Sequence, residues 1–133
     1  MCFHIHPKYP EPKLAETDII CYKVVRKRSF TNEFYSIYEM FRYKLKEIYS
    51  RTSFGIVKTF YEDVIYEGFH SYSILDKAID QYAGHHGCII KCIIPEGTIY
   101  YYNPEDSEYV SLQIIPIKRI SKISIFFKLL QDL

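Results

Sequence analysis

The sequence Glu-Gly-Phe-His-Ser-Tyr-Ser, residues 67–73, is the segment around which the rest of the chain is organised. A β-rich run leads into it, Gly68 breaks that run, and Ser73 is a residue type that caps helices. Asp76, three residues after Ser73, completes a capping-box-like pattern, and Gly84 is placed to end a helix. Between them, apolar residues recur at helical spacing: Ile74, Leu75, Ala78, Ile79 and Tyr82. We therefore predict a strand, a polar turn and a helix of about ten residues.

The length and the charge of the chain limit the classes of protein to which it can belong. Its 133 residues predict a single domain spanning residues 1–133. A formal net charge of +1 argues against a strongly basic nucleic-acid binder, so no DNA partner is expected. No apolar run is long enough to cross a membrane, so no membrane partner is expected. The N-terminus lacks the layout of a secretion signal, which predicts a cytoplasmic protein.

Cysteine and histidine residues raise the question of a metal site. The sequence contains Cys2, Cys21, Cys88 and Cys92, with histidines near them at His4, His6, His85 and His86. No pair of these residues has a recognised zinc-ligand spacing, so we expect no metal. Without a secretion signal the thiols are expected to be reduced, and Cys88 and Cys92 are expected to point to one face of a strand.

Tyrosine is unusually frequent, with 14 Tyr beside 9 Phe and no Trp. Because tyrosine joins apolar area to a hydroxyl group, a tyrosine-rich surface suits ligands or partners with flat, polar groups. Tyrosine is also a good strand former, which explains the same composition without any ligand. Composition leaves both interpretations open.

Two segments before the central stretch carry strand patterns. In Ile19 to Val25 the side chains alternate between two faces, with Tyr22 and Val24 on one and Cys21, Lys23 and Val25 on the other. Residues 31–49 fit a helical stripe by spacing. Their Tyr, Phe and Ile content also suits two short strands, Phe34 to Tyr38 and Arg42 to Tyr49. We interpret the second half as strand and leave the first half open.

The second half of the chain is predicted to consist mainly of strands. Cys88 to Ile94 is nearly continuous in apolar residues, which is typical of a central strand buried on both faces. After a tight turn at Pro95 to Gly97, Thr98 to Tyr102 is expected to be its partner strand. Glu108 to Ile114 is predicted as the next strand, with Pro116 interrupting the run.

The tail, residues 117–133, is expected to form a strand and then a terminal helix. Together these elements predict an α+β fold with a mostly antiparallel, twisted and split sheet around one central helix.

Candidate functional residues lie where the predicted strands end or begin. His70, Ser71 and Tyr72 follow a strand break, and Glu108 opens a later strand; Lys23 and Tyr22 come next. A histidine can change its charge near neutral pH, and a glutamate can orient a hydroxyl group or stabilise a developing cation. The structural alternatives are a hydrogen-bonded core histidine and a solvated strand end. Ser71 and Tyr72 can also serve only to fix the turn.

Three segments together resemble the ADP-ribosyltransferase superfamily. They are Cys-Tyr-Lys-Val-Val at 21–25, Gly-Phe-His-Ser-Tyr at 68–72 and Asp-Ser-Glu-Tyr-Val at 106–110. The resemblance implies that family's split-sheet fold, with Tyr22 and Lys23 beside the nicotinamide of NAD, Ser71 on the ribose and Glu108 as the catalytic glutamate. The family's first strand carries Arg or His followed by Gly, where this chain has Lys23 and Val24. The same region also looks like small uncharacterised proteins of bacteriophages and gut bacteria.

The resemblance and the candidate residues lead to three hypotheses about function, of which the third involves no ligand. The first is a non-catalytic binding protein on an ADP-ribosyltransferase-like scaffold, with no cofactor, whose partner is a nucleotide-like small molecule or a host protein. Its ligand-binding residues would be Tyr22, Lys23, His70, Ser71, Tyr72 and Glu108. If the protein is encoded by a phage, it would act in the host cytoplasm, by sequestering a nucleotide signal or by inhibiting a host defence protein.

The alternative is an active mono-ADP-ribosyltransferase that uses NAD, with Glu108 and Ser71 as its catalytic residues. The third possibility is a structural protein, with a tyrosine patch at the two-fold interface of a homo-oligomer.

Overall fold

The computed structural model describes residues 3–27, 33–36, 41–85 and 87–131. These residues form thirteen strands, β1 to β13, and two helices. In chain order the strands are Phe3–His4, Lys13–Leu14, Ile19–Lys27, Glu33–Ser36, Arg42–Lys44, Tyr49–Ser50, Gly55–Lys58, Asp63–Glu67, Phe69–Tyr72, Cys88–Ile94, Ile99–Asn103, Glu108–Ser111 and Gln113–Arg119. The helices are α1, Leu75–His85, and α2, Lys122–Gln131.

The strands form two antiparallel sheets. The large sheet has the order β2-β11-β12-β9-β3-β10-β13-β6, and the β4–β5 hairpin pairs with β3. The small sheet has the order β1-β8-β7. Every strand pairing in the described part of the chain is antiparallel. The predicted α+β class with a mainly antiparallel, divided sheet is therefore confirmed.

Gly68 marks the passage of the chain from one sheet to the other. Strand β8 of the small sheet ends at Glu67, and β9 of the large sheet begins at Phe69. The φ angle of Gly68 is 150°, and a Cβ there would lie 2.4 Å from Cγ2 of Val110. Only glycine fits this conformation and this close approach. The predicted break at this position is confirmed. The polar turn predicted to follow it is wrong, because Phe69–Tyr72 is strand β9, which pairs with β12 and β3.

The large sheet has two distinct faces, which we call face A and face B. As predicted, the side chains of β3 alternate, so that Cys21, Lys23 and Val25 lie on face A and Tyr22 and Val24 on face B. The core on face A contains Cys21, Val25, Phe34, Tyr43, Phe69, Cys88, Ile90, Cys92, Ile94 and Ile114. The β4–β5 hairpin supplies two of these side chains and so covers part of face A.

Face B is covered by two neighbouring structures. Over β3, β9 and β10 lie the helices, and the core there contains Tyr72, Ala78, Ile79, Ile89 and Ile125. Over β11 and β12 lies the small sheet, and its core contains Phe3, Ile65, Tyr101 and Val110. Strands β9 and β12 therefore pass beneath the junction between the helices and the small sheet.

Three predictions about the second half of the chain are wrong. Strand β11 is not the partner of β10, because β10 pairs with β3 and β13 while β11 pairs with β12 and β2. The run Glu108 to Ile114 is divided at Leu112 into β12 and β13, which lie in different parts of the large sheet. Pro116 does not interrupt the strand but lies inside β13, opposite Cys92, where the register shifts at a bulge. A bulge accommodates the missing N–H group of proline.

The remaining predictions about secondary structure are mostly confirmed. Cys88–Ile94 is a central strand, and the tail forms the end of β13 followed by α2. The described parts of residues 31–49 contain three short strands and no helix, while 31–32 and 37–40 lie outside the described residues. The single strand predicted from Arg42 to Tyr49 is wrong, because β5 and β6 are separated by a turn and pair with different strands. Helix α1 continues one residue past Gly84. The described part of the chain holds no helix with the length and apolarity that crossing a membrane requires.

Candidate functional site

Three of the predicted site residues form one row across the large sheet. Tyr22 of β3 is directly opposite Tyr72 of β9, and Tyr72 is directly opposite Glu108 of β12. Residues paired across antiparallel strands point to the same face, so all three lie on face B. His70 lies two residues before Tyr72 on the same strand and therefore shares this face. The row places Tyr72 and Glu108 beneath the junction of the helices and the small sheet.

His70 and Glu108 form a buried pair at the centre of this site. The distance from Nδ1 of His70 to Oε1 of Glu108 is 3.5 Å, and each side chain is only 9% exposed. Neither atom has a hydrogen-bond partner in the described part of the chain. The other ring nitrogen of His70, Nε2, lies 3.4 Å from the carbonyl oxygen of Tyr66 in the small sheet. A buried polar atom without a partner is costly, so this pair is the least satisfied polar group of the site.

Two residues that the sequence did not single out extend the row at its ends. Asn103 is opposite Glu108, and its Nδ2 donates to the carbonyl oxygen of His4 at 2.8 Å. Lys91 is opposite Tyr22 and is half-buried. A lysine inside an otherwise apolar strand was a visible signal for Lys91. Asn103 had no such signal, because asparagine is common in turns.

Lys23 and Ser71, the other two predicted site residues, lie on face A. The Lys23 ammonium donates a hydrogen bond to the carbonyl oxygen of His70 and lies 5.4 Å from the centre of the Tyr43 ring. The Ser71 hydroxyl is buried beside the Cys21 thiol without a well-formed hydrogen bond. The structure thus brings four of the six predicted residues together and separates Lys23 and Ser71 from Glu108 by the thickness of the sheet.

A pair of thiols lies next to Lys23 on face A. Cys21 and Cys92 are directly opposite each other on β3 and β10, and both are fully buried. Burial acts to raise the pKa of the Cys21 thiol, but Cys92, Ser71 and Lys23 favour its thiolate and lower the pKa. Burial and the neighbouring Cys21 raise the pKa of Cys92. Cys88 lies on the same face, as predicted, and all three thiols are free.

Three tyrosines form a cluster on face A beyond Ser71. The rings of Tyr102 and Tyr109 are 4.8 Å apart, and those of Tyr100 and Tyr109 are 5.7 Å apart. Burial, followed by repulsion from ionised Tyr102 and Tyr100, raises the pKa of Tyr109 to about 12. The half-buried rings of this cluster are the closest match to the predicted tyrosine-rich surface.

Stability above pH 10 is expected to depend on Tyr109. Its pKa in the folded protein, about 12, exceeds the ordinary value of 10.0, so the folded state holds the phenol proton more tightly. This contribution is complete below pH 10 and is lost as the pH rises through the folded pKa. Urea unfolding at about pH 9 and about pH 11 should show a smaller loss of stability for Tyr109→Phe than for the natural protein.

The matched control for this experiment is Tyr61→Phe, because the Tyr61 side chain is 92% exposed. Equal effects of the two substitutions on the pH dependence would contradict the assignment to Tyr109.

Metal ligands and known relatives offer no further guide to this site. In the described ranges, no three His, Cys, Asp or Glu side chains are grouped as a metal site requires, while Cys2 and His86 lie outside those ranges. Comparison of the chain with protein-family models, with curated proteins and with solved structures gives no match.

Proposed function

We propose that this protein binds a nucleotide-type ligand on face B, at the row formed by Tyr22, Tyr72 and Glu108, without transferring any part of it. The observation that carries the proposal is the buried His70–Glu108 pair, whose facing atoms are 3.5 Å apart and lack hydrogen-bond partners among the described residues. Both atoms are buried, so the proposed ligand enters at the junction between the helices and the small sheet. There it supplies hydrogen bonds to both atoms and removes this cost.

The chemistry of the pair selects the kind of group that it binds. When the ring proton of His70 is on Nε2, that nitrogen can donate to the carbonyl oxygen of Tyr66, 3.4 Å away, and Nδ1 presents a lone pair. The neighbouring Oε1 of the Glu108 carboxylate also accepts hydrogen bonds. Two adjacent acceptors match two adjacent hydroxyl groups. The 2′,3′-diol of a ribose has this arrangement, which makes a ribonucleotide the best fit.

The rest of the row suits the base of a nucleotide. Tyr22 is half-buried at the edge of the core beneath the helices and offers a ring on which a base can stack. In a nucleotide the ribose lies between the base and the phosphate. A ligand with its diol at Glu108 and its base at Tyr22 therefore directs its phosphate away from Lys91, which is not part of the proposed site.

Binding is favoured over transfer by the placement of the remaining residues. ADP-ribose transfer, as the family resemblance implies it, uses Lys23, Ser71 and Glu108 around one NAD molecule. Here Lys23 and Ser71 are on face A, on the side of the sheet opposite Glu108. The scaffold we propose is ADP-ribosyltransferase-like, with the ligand held on one face by the remaining four residues.

Titration calorimetry with AMP, NAD and 2′,3′-dideoxy-AMP tests the proposal. We expect heat with the ribonucleotides and at least tenfold weaker binding of the dideoxy compound, because hydrogen bonds to charged groups contribute about 1.5–3 kcal/mol. Glu108→Gln should weaken binding of AMP by a similar factor. The matched control is Glu62→Gln, which alters an exposed carboxylate paired with His4. Absence of heat with every nucleotide, or equal loss in both variants, would overturn the proposal.

Incubation with labelled NAD and cell lysate separates binding from transfer. We expect no transfer of label to any protein. Label transfer that disappears in Glu108→Ala would replace the proposed function by mono-ADP-ribosylation.

A further inference from the structure

Helix α2 carries an exposed apolar face that the rest of the described chain does not cover. Ile123, Phe126 and Phe127 are 68%, 60% and 59% exposed, and Leu129 and Leu130 are nearly half exposed. For a helix of ten residues, this is a large share of its surface. Contiguous apolar surface of this kind usually marks a site of interaction.

The helix is nevertheless held firmly in one orientation. Ile125 is 4% exposed and packs into the core between the helices and face B. On the next turn, Nζ of Lys128 lies 3.3 Å from Oδ1 of Asp76 in α1. These two contacts fix the inner side of α2, so its exposed apolar side chains point outward. They form what we call the apolar strip: Ile123, Phe126, Phe127, Leu129 and Leu130.

The charge of this region identifies what covers the strip. Residues 109–131 contain four cations and no acidic residue, and Asp132 is the next acidic residue in the sequence. The cations are Lys118, Arg119, Lys122 and Lys128. Lys122 is exposed at the first residue of the helix, and Lys118 is exposed near the end of β13, opposite Lys91 in the sheet. An apolar strip bordered by cations is complementary to a surface in which an anionic outer layer covers an apolar layer.

We infer that α2 binds flat on the surface of an anionic lipid bilayer, with Ile123, Phe126 and Phe127 among the acyl chains and Lys118 and Lys122 at the headgroups. A helix of ten residues is half the length needed to span a bilayer, so it lies in the interface. The long lysine side chains reach the phosphates from the edge of the apolar strip. A second copy of the chain is the other occupant that an apolar strip could take, and the experiments below distinguish it from a bilayer.

Vesicle co-sedimentation tests this inference. We expect binding to vesicles of equal parts phosphatidylcholine and phosphatidylglycerol, and much less to phosphatidylcholine alone. Lys118→Glu with Lys122→Glu should weaken binding by more than about tenfold, since each cation near an anionic surface contributes several-fold. Phe126→Ser with Phe127→Ser should abolish it. The matched control is Phe60→Ser with Tyr61→Ser, which removes two aromatic rings that are 95% and 92% exposed on another part of the chain.

Fluorescence provides a second readout with an almost unaltered protein. The chain has no tryptophan, so Phe127→Trp introduces a single reporter on the strip. Its emission should shift to shorter wavelength when anionic vesicles are added, and that of Phe60→Trp should not. Equal binding to neutral vesicles, equal loss in the Phe60 and Tyr61 control, or an unshifted Phe127→Trp signal would each overturn the inference. The inference would also be overturned if the natural protein were a dimer that binds no vesicles, and if that dimer dissociated in the Phe126 and Phe127 variant.

Discussion

Phe69→Ala is expected to lower the free energy of unfolding by about 3–5 kcal/mol, the usual cost of deleting a buried aromatic ring. Phe69 is 1% exposed and lies at the start of β9, directly after the break at Gly68. Its ring is 5.8 Å from that of Phe41 and 6.3 Å from that of Tyr43, and the guanidinium of Arg51 lies 5.5 Å from its centre. Removal of the ring leaves a cavity among three partners that the rest of face A holds in place.

The control for this prediction is the same substitution at an exposed position. Phe60 is 95% exposed in the turn between β7 and β8, so Phe60→Ala should change stability by no more than about 0.5 kcal/mol. Denaturant unfolding measures both variants. A loss below about 1 kcal/mol for Phe69→Ala would show that this ring is not a core element.

His70→Ala is expected to lower the free energy of unfolding by about 1–3 kcal/mol, because it removes a side chain that is only 9% exposed and leaves a cavity beside the buried Glu108 carboxylate. Replacement of both residues, as His70→Leu with Glu108→Leu, should recover most of that loss, since two apolar side chains need no partner. Urea unfolding of the single and double variants measures the difference. A double variant that is less stable than His70→Ala would contradict the prediction.

The chain contains its own control for this buried pair. His4 and Glu62 bring the same two residue types together in a hydrogen bond at 2.8 Å, but their side chains are 49% and 44% exposed. Because solvent screens exposed pairs, His4→Ala should cost less than about 1 kcal/mol. Similar losses for His4→Ala and His70→Ala would mean that burial does not set the strength of the His70–Glu108 contact.

Local sequence pattern was sufficient to predict much of the fold. The alternation in β3 assigned Tyr22 and Lys23 to opposite faces, and the unbroken apolar run of β10 marked it as a central strand. Both predictions depend on one strand and on the side-chain period of two. The turn at Pro95 to Gly97 was misleading, because a tight turn does not require its two flanking strands to pair. Here the chain leaves β10 and joins the far side of the sheet.

The site was harder to predict because it depends on the register between strands. Whether Ser71 or Tyr72 shares a face with Glu108 is decided by the pairing of β9 with β12, and a shift of one residue exchanges the two. No property of either segment alone reveals that register. The contact between His70 and Glu108 is therefore a tertiary result, although both residues were candidates from the sequence.

The pairing of the earliest strands has a consequence for how the protein is made. Strand β1 pairs with β8, β2 pairs with β11, and β3 pairs chiefly with β10. At a synthesis rate of roughly 5–20 residues per second, the first strands to leave the ribosome wait several seconds for their partners to be translated. Contacts this distant in sequence also slow the folding search. During that interval the unpaired edges of β1 to β3 are exposed in the nascent chain. A chaperone that binds unfolded chains would protect these edges from aggregation most effectively at this stage.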